Sequence, residues 1–234
     1  MFSQAEENYL KSIYALEKEL LCSISTNLIA QKTETKASSV TDMLKKLDSK
    51  KLVVYQKYQG VSLTEKGKKI ALKVIRKHRL WEFFLVEKLH YSWDKVHDIA
   101  EQLEHIQSET LIDKLDAFLE FPKFDPHGDP IPNVKGEISK DNQSLCLSNC
   151  KEGKTYSITR LKSDDKEFFD FCTLYGLKLG NQVMVTNQFN FNNMTQISIN
   201  SNTLLLNADF TNIIYVKEIN EKPKDSPLSS YKLF

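Results

Sequence analysis

The stretch HDIAEQLEH, residues 97–105, sets several metal-ligating side chains at helical spacing. On an α-helix, which turns about 100° per residue, His97, Glu101, Glu104 and His105 share an arc of about 100°. Ile99, Ala100, Leu103 and Ile106 fall on the other side, so the polar wedge is separate from the apolar stripe. Upstream, His78 and Glu82 stand i, i+4 and share a face of their own. Carboxylates cancel the charge of a divalent ion, and neutral imidazole adds affinity for borderline metals. No sulfur sits in the cluster, which favours Mn²⁺ or Fe²⁺ over Cu(I) or structural zinc. The plain alternative is a solvated face of Glu and His making ion pairs along the helix.

Two long helices must carry this cluster. Thr64 can cap a helix over about 65–89, and a second runs from near Asp94 to about Glu120. Joined by HYSWD, they form a hairpin. Its apolar residues (Leu80, Phe83, Phe84, Leu111, Leu115 and Phe118 among them) exceed what one hairpin covers, so a twofold homodimer is expected.

Ahead of the hairpin, AEENYLKSIYALEKEL has helical periodicity. Thr26 can cap a short helix bearing Leu28 and Ile29, and a tight connection over 33–36 leads to a helix with Val40, Met43, Leu44 and Leu47 at i, i+3, i+4, i+7. The opposite side of that helix presents Ser38, Thr41, Asp42 and Lys45. LVVYQKYQGVSLT then reads as two strands around a turn, with Lys57 and Tyr58 at its tip. Helix, helix, turn, helix and hairpin describe a winged helix-turn-helix, whose second helix enters a major groove while the wing meets phosphates. The DNA-facing set is Thr26, Lys36, Ser38, Ser39, Thr41, Asp42, Lys45, Lys57 and Tyr58. Two such heads on a twofold axis predict a palindromic double-stranded DNA operator.

Charge supports this division. The net charge of +1 combines +8 in residues 1–80 (16 Lys/Arg, 8 Asp/Glu) with −7 in 81–234 (16 Lys/Arg, 23 Asp/Glu). A basic head on an acidic body suits a polyanion partner. Cysteines 22, 146, 150 and 172 form no CxxC pair, which argues against a disulfide scaffold or zinc ribbon and fits a reducing, cytoplasmic setting. No apolar run approaches the roughly 18 residues that span a bilayer, and the start lacks the basic-then-apolar pattern of a leader, so no membrane partner is expected.

FPKFDPHGDPIPNVKGEI, 121–138, is Pro/Gly-rich and reads as an ordered but irregular link. Beyond a polar linker at 141–153, the runs TYSITRL, QVMVT, QISI, TLLL and NIIYV suggest a five-stranded barrel, interrupted by a helix near DKEFFDFCTLYG. The expected architecture is α+β multidomain. It comprises a winged helix-turn-helix (1–73), a helical metal-binding and dimerisation domain (74–140), the linker, a small SH3-like β-barrel (154–220) and a tail (221–234).

The stretches ENYLKSIYALE, SSVTDMLKKLDSKKLV, GVSLTEKGKKIA, KHRLWEFFL, KVHDIAEQLEH and DPHGDPIP occur in this order over 6–132. They resemble the metal-dependent repressors of the diphtheria toxin repressor and manganese transport regulator (DtxR/MntR) family. SITRLKSDD and LYGLKLGNQVMV resemble the SH3-like (FeoA-like) domain of its longer members. The resemblance implies a dimeric repressor of metal-uptake genes that binds its operator when metal is abundant. It further implies a principal site of Glu101, Glu104 and His105 with Asn8, and a neighbouring site of His78, Glu82 and His97 aided by Asp164 or Asp165. Asp125 and His127 stand where some manganese-type members place ligands. This chain departs from the family at Asn8 (usually Met or Asp), at Lys11 (Glu in the short manganese-type members), and at Glu34 and Lys36 in the turn, so base specificity does not carry over. Glu101, where iron-type members have Cys, is a manganese-type feature.

Two rival functions have different consequences. A metallohydrolase would need a nucleophile and base beside the ion, and no HExxH is present. A winged-helix regulator answering an organic ligand or a protein would use the hairpin for dimerisation alone.

Overall fold

In the computed structural model, which describes residues 2–20, 23–57, 59–139, 143–163 and 165–219, the first helix α1 (Gln4–Glu19) is opened by a reciprocal cap. Ser3 Oγ accepts from the Glu6 amide at 3.3 Å, and Glu6 Oε2 accepts from the Ser3 amide at 3.1 Å. Its apolar face buries Tyr9, Leu10, Ile13 and Leu16, and Glu6 and Glu7 are buried beside it.

Helices α2 (Thr26–Lys32) and α3 (Ala37–Ser49) follow. The cap of α2 is Ser25, not Thr26 as the sequence suggested: its hydroxyl accepts from the Leu28 amide at 3.3 Å, and Thr26 is the first helical residue. Both residue types can cap, and the one with extended backbone takes the role. Val40, Leu44 and Leu47 of α3 are fully buried in the head's core. Strands β1 (Val53–Gln56) and β2 (Gly60–Leu63) pair antiparallel with Val53 opposite Leu63, forming the wing.

Thr64 caps α4 (Glu65–Glu87) through the Gly67 amide. A Cβ on Gly67 would lie 2.0 Å from the Leu52 carbonyl oxygen, so only glycine lets α4 lie this close to the wing. Helix α4 runs without a break through residues 73 and 74, where two domains were expected to meet. The chain divides into two compact units, 1–140 and 141–234.

The long helix expected over 94–120 is two helices, α5 (His97–Leu103) and α6 (Glu109–Phe118). Glu104 is the last cap of α5, and Ser108 starts α6 by accepting from the Leu111 amide at 3.2 Å. The loop between them turns the Ile106 carbonyl towards Lys77, 3.4 Å away on α4. Leu80, Ile112, Leu115, Leu119 and Ile131 form the second core, flanked by Trp81, Phe83 and Phe84. Leu89, Leu111, Phe118 and Phe121 remain exposed on the same hairpin.

The second unit is a six-stranded antiparallel sheet of order β3-β8-β4-β5-β6-β7: β3 (Leu145–Cys146), β4 (Thr155–Leu161), β5 (Gln182–Phe189), β6 (Met194–Ile199), β7 (Asn202–Leu206) and β8 (Ile214–Glu218). The five expected runs all become strands. The sixth, β3, pairs with β8 inside the stretch expected to be a linker, and its two residues are too few to show alternation. Helices α7 (Lys166–Tyr175) and α8 (Ala208–Thr211) connect strands, and Val183, Val185, Ile197, Ile214 and Val216 are fully buried. No helix among the described residues is long and apolar enough to cross a membrane.

Candidate metal centre and DNA-facing surface

Helix α4 brings His78 and Glu82 onto one buried face, and α5 sets His97 and Glu101 against it. Their donor atoms form overlapping triads. His78, Glu82 and His97 offer atoms within 4.8 Å of one another, as do His78, Glu101 and Glu104, and also Glu82, Asp125 and His127. His78 is shared by the first two triads and Glu82 joins the first to the third, so the cluster is continuous from Glu101 to His127.

His78 Nδ1 lies 2.6 Å from Glu104 Oε2, and its Nε2 lies 2.9 Å from Glu82 Oε1. Burial works against a charged imidazole, but Glu82 and Glu104 outweigh it and lift the His78 pKa to about 9. The His78 and His97 rings meet edge to face at a centroid distance of 4.9 Å. Burial opposes the charge of Glu82 as well, yet His78, His127 and His97 hold its carboxyl well below the usual range. Glu104, fully buried, is lowered in the same way by His78 and Lys11 despite its burial.

The loop 125–131 supplies the far end. Asp125 Oδ1 accepts from the amides of His127 and Asp129, both at 2.9 Å, and Gly128 turns the chain at φ +86°. His127 Nε2 lies 2.9 Å from the Trp93 carbonyl oxygen, which leaves Nδ1 towards Glu82, 3.8 Å away. Burial, Asp129 and Glu82 push the Asp125 carboxyl up to about 7. Burial disfavours charge on His127, but Glu82 and Asp125 raise its pKa to about 9.

Of the remaining expected ligands among the described residues, none belongs to these three triads. His105 falls beyond the end of α5, so it leaves the wedge that a single continuous helix would make. Its Nδ1 lies 2.6 Å from Glu7 Oε2 on α1, and its Nε2 lies 3.7 Å from Glu104 Oε1. Asn8 is exposed on α1. Asp165 caps α7, accepting from the Glu167 and Phe168 amides at 2.7 and 3.2 Å, and Asp164 lies outside the described residues.

Sequence reasoning missed Glu7 and Arg79. Arg79 Nη1 donates to the Pro130 carbonyl at 2.6 Å, and the guanidinium reaches Asp125 Oδ2 at 3.4 Å and Asp129 Oδ1 at 3.5 Å. Its place beside His78 on α4 was the available signal. Lys11, noted as a departure from the family, reaches the cluster from α1: its Nζ lies 2.8 Å from Glu104 Oε2 and 3.1 Å from Glu101 Oε1.

Imidazoles and carboxylates without sulfur are a donor set suited to a hard or borderline divalent ion. On the head, Lys36, Ser38, Ser39, Asp42 and Lys45 are exposed on or beside α3, opposite its buried stripe, and Thr26 and Thr41 are half-buried. Lys57 is exposed on the wing, and Tyr58 lies outside the described residues.

Comparison with known proteins extends over both units. Family models match at 1–61 (iron dependent repressor, N-terminal DNA binding domain), 64–133 (iron dependent repressor, metal binding and dimerisation domain) and 145–218 (FeoA domain). A diphtheria toxin repressor from Corynebacterium glutamicum is 26% identical over 91% of this chain and 96% of its own. An uncharacterised HTH-type transcriptional regulator from Methanocaldococcus jannaschii is 39% identical over 50% of this chain and 94% of its own. A solved manganese-dependent transcriptional repressor in complex with manganese is 33% identical, superposes with a TM-score of 0.82, and covers 92% of this chain and 100% of its own. Three consecutive domain matches and a likeness running nearly end to end show that this chain belongs to the iron-dependent repressor family, in the three-domain form with a C-terminal FeoA domain.

Proposed function

We propose that this chain is a homodimeric transcriptional repressor of metal-uptake genes, binding a palindromic DNA operator when Mn²⁺ is abundant, with Fe²⁺ the alternative ion. The observation that carries this reading is the meeting of the head helix α1 with α4 and α5 around buried carboxylates and imidazoles. When bound, a divalent ion supplies the charge that holds these carboxylates together.

The chain's own residues do the rest. His78, Glu82, His97, Glu101 and Glu104 form one end of the ligand set, and Asp125 with His127 extends it. His78 and His127 must give up protons to ligate, so loading is coupled to proton release. Because Glu7 and Lys11 tie α1 to the α5 end, a change at the cluster reaches the angle of the head that carries α3. The exposed apolar residues Leu89, Leu111, Phe118 and Phe121 fit burial against a second copy, which would set two heads at successive major grooves. The coupling needed is about 1–3 kcal/mol, or roughly 5- to 150-fold in operator affinity.

The test is operator selection from a random duplex library with Mn²⁺ present, followed by fluorescence anisotropy with loaded and chelator-stripped protein. Tighter binding by the loaded form is expected. Equal affinity for the selected duplex in both forms would end this reading.

A further inference from the structure

The cluster already holds a cation of the protein's own. Lys11 is on α1, and its ammonium reaches both carboxylates of the second triad: Glu101 Oε1 at 3.1 Å, and Glu104 at 3.1 and 2.8 Å to its two oxygens. It also lies 3.5 Å from His78 Nδ1, the third member. Glu104 is fully buried and the Lys11 side chain is only 22% exposed, so this is not a loose surface pair. Glu82, which the first and third triads share, meets imidazoles instead: His78 at 2.9 Å, His97 at 3.4 Å and His127 at 3.8 Å.

We propose that Lys11 is a tethered competing cation that sets the metal threshold of the Glu101–Glu104–His78 end of the cluster. The inference rests on the reading of that cluster as a metal site. An ammonium that donates to the same carboxylate oxygens a divalent ion would use must withdraw before those oxygens can ligate, and its charge repels the incoming ion. The lysine also keeps the buried Glu104 carboxylate neutralised and α1 attached to α5 at low metal, so it trades affinity for a folded, tethered head. Activation thus replaces one cationic link between head and scaffold by another. The metal concentration at which the exchange occurs is tuned by the hold of Glu101 and Glu104 on Lys11.

The experiment uses the full-length chain stripped by chelator and titrated with Mn²⁺ in calorimetry against a competing chelator. Lys11→Met and Lys11→Gln are expected to bind Mn²⁺ at this end about tenfold tighter or more, and to melt at lower temperature than wild type before loading. The loss in melting temperature should shrink on loading. In the unaltered protein, reductive methylation mapped by mass spectrometry should label Lys11 slowly without metal and faster with Mn²⁺. That readout stands even if both variants fold poorly. If wild type binds Mn²⁺ but neither folded variant binds it tighter, or if Lys11 labelling does not rise on loading, the competing-cation role is overturned while the metal site stands. If folded wild type binds neither Mn²⁺ nor Fe²⁺, the functional reading itself falls and this inference falls with it.

Discussion

Glu7 Oε2 and His105 Nδ1 meet at 2.6 Å, joining the first helix of the head to the loop after α5, while the next residue, Asn8, faces solvent. Gln107 Nε2 adds a second donor to Glu7 at 3.3 Å, so both carboxylate oxygens are used. The Glu7 and His105 side chains are 5% and 7% exposed, which makes this a buried link rather than a screened surface pair. Glu7→Gln should cost about 1–3 kcal/mol and Asn8→Ala less than about 0.5 kcal/mol, because only the first takes the charge from a buried, hydrogen-bonded carboxylate and leaves one of its oxygens replaced by an amide donor. A double-mutant cycle with His105→Gln in denaturant unfolding should give a coupling of at least about 1 kcal/mol. Additive effects of the two substitutions would mean that the pair does not hold the head.

Arg79 performs a comparable task for the loop that presents Asp125 and His127. One guanidinium satisfies the Pro130 carbonyl and neutralises two neighbouring carboxylates. Without it, Asp125 and Asp129 would repel each other, and the Asp125 carboxyl, already raised to about 7, would rise further. Arg79→Gln should therefore destabilise the chain by about 2–4 kcal/mol. Local opening should also speed hydrogen exchange at the His127 and Asp129 amides, which Asp125 Oδ1 accepts. Unchanged protection of those two amides, measured by NMR, would show that the loop holds its shape without Arg79.

Glu6 makes stability depend on pH at the other side of α1. Burial alone would raise its pKa, but Lys50 at 2.5 Å, the Ser3 amide and Lys46 at 3.1 Å prevail and bring it from 4.5 to about 2. Folded Glu6 holds its proton less tightly than unfolded Glu6. Its contribution is thus complete above about pH 4.5 and is lost as pH falls through about 2. Both lysines are more than a third exposed, so the contribution is discounted to on the order of 1 kcal/mol. Glu6→Gln keeps a side-chain acceptor for the Ser3 amide and removes only the charge. Its stability deficit in urea should be present at pH 6 and vanish towards pH 2. A deficit that stays constant over that range would assign the effect to packing instead.

The parts legible from sequence were those with a repeating signal. The stripe Val40, Leu44 and Leu47 announced α3, and the paired i, i+4 spacings of His78 with Glu82 and His97 with Glu101 announced the faces that meet. The break after α5 was harder to see, because apolar residues continue through Leu103, Ile106 and Leu111 and no glycine or proline intervenes. Only the cap at Ser108 marked it, and His105, just past the end of α5, meets Glu7. Arg79 and Glu7 carry no periodic signature: each owes its role to a residue far along the chain. Strand β3 is two residues long and gains its identity from β8.

Lys45 offers a test of the DNA-facing surface that is independent of the metal cluster. It lies on α3 across from the buried Val40, Leu44 and Leu47, and its side chain is 65% exposed. Its ion pair with Asp42, at 3.3 Å along the helix, is a surface pair that contributes under about 1 kcal/mol, so truncation should leave the fold intact. Lys45→Ala should weaken operator binding. A phosphate contact would lower the slope of log affinity against log salt by about one and act alike on all sequences. A base contact would instead cost about 1–3 kcal/mol on the selected operator and leave nonspecific binding nearly unchanged. Anisotropy titrations at several salt concentrations, on operator and scrambled duplex, separate the two. An unchanged salt slope together with unchanged operator affinity would remove Lys45 from the interface and shift the groove-facing surface away from this side of α3.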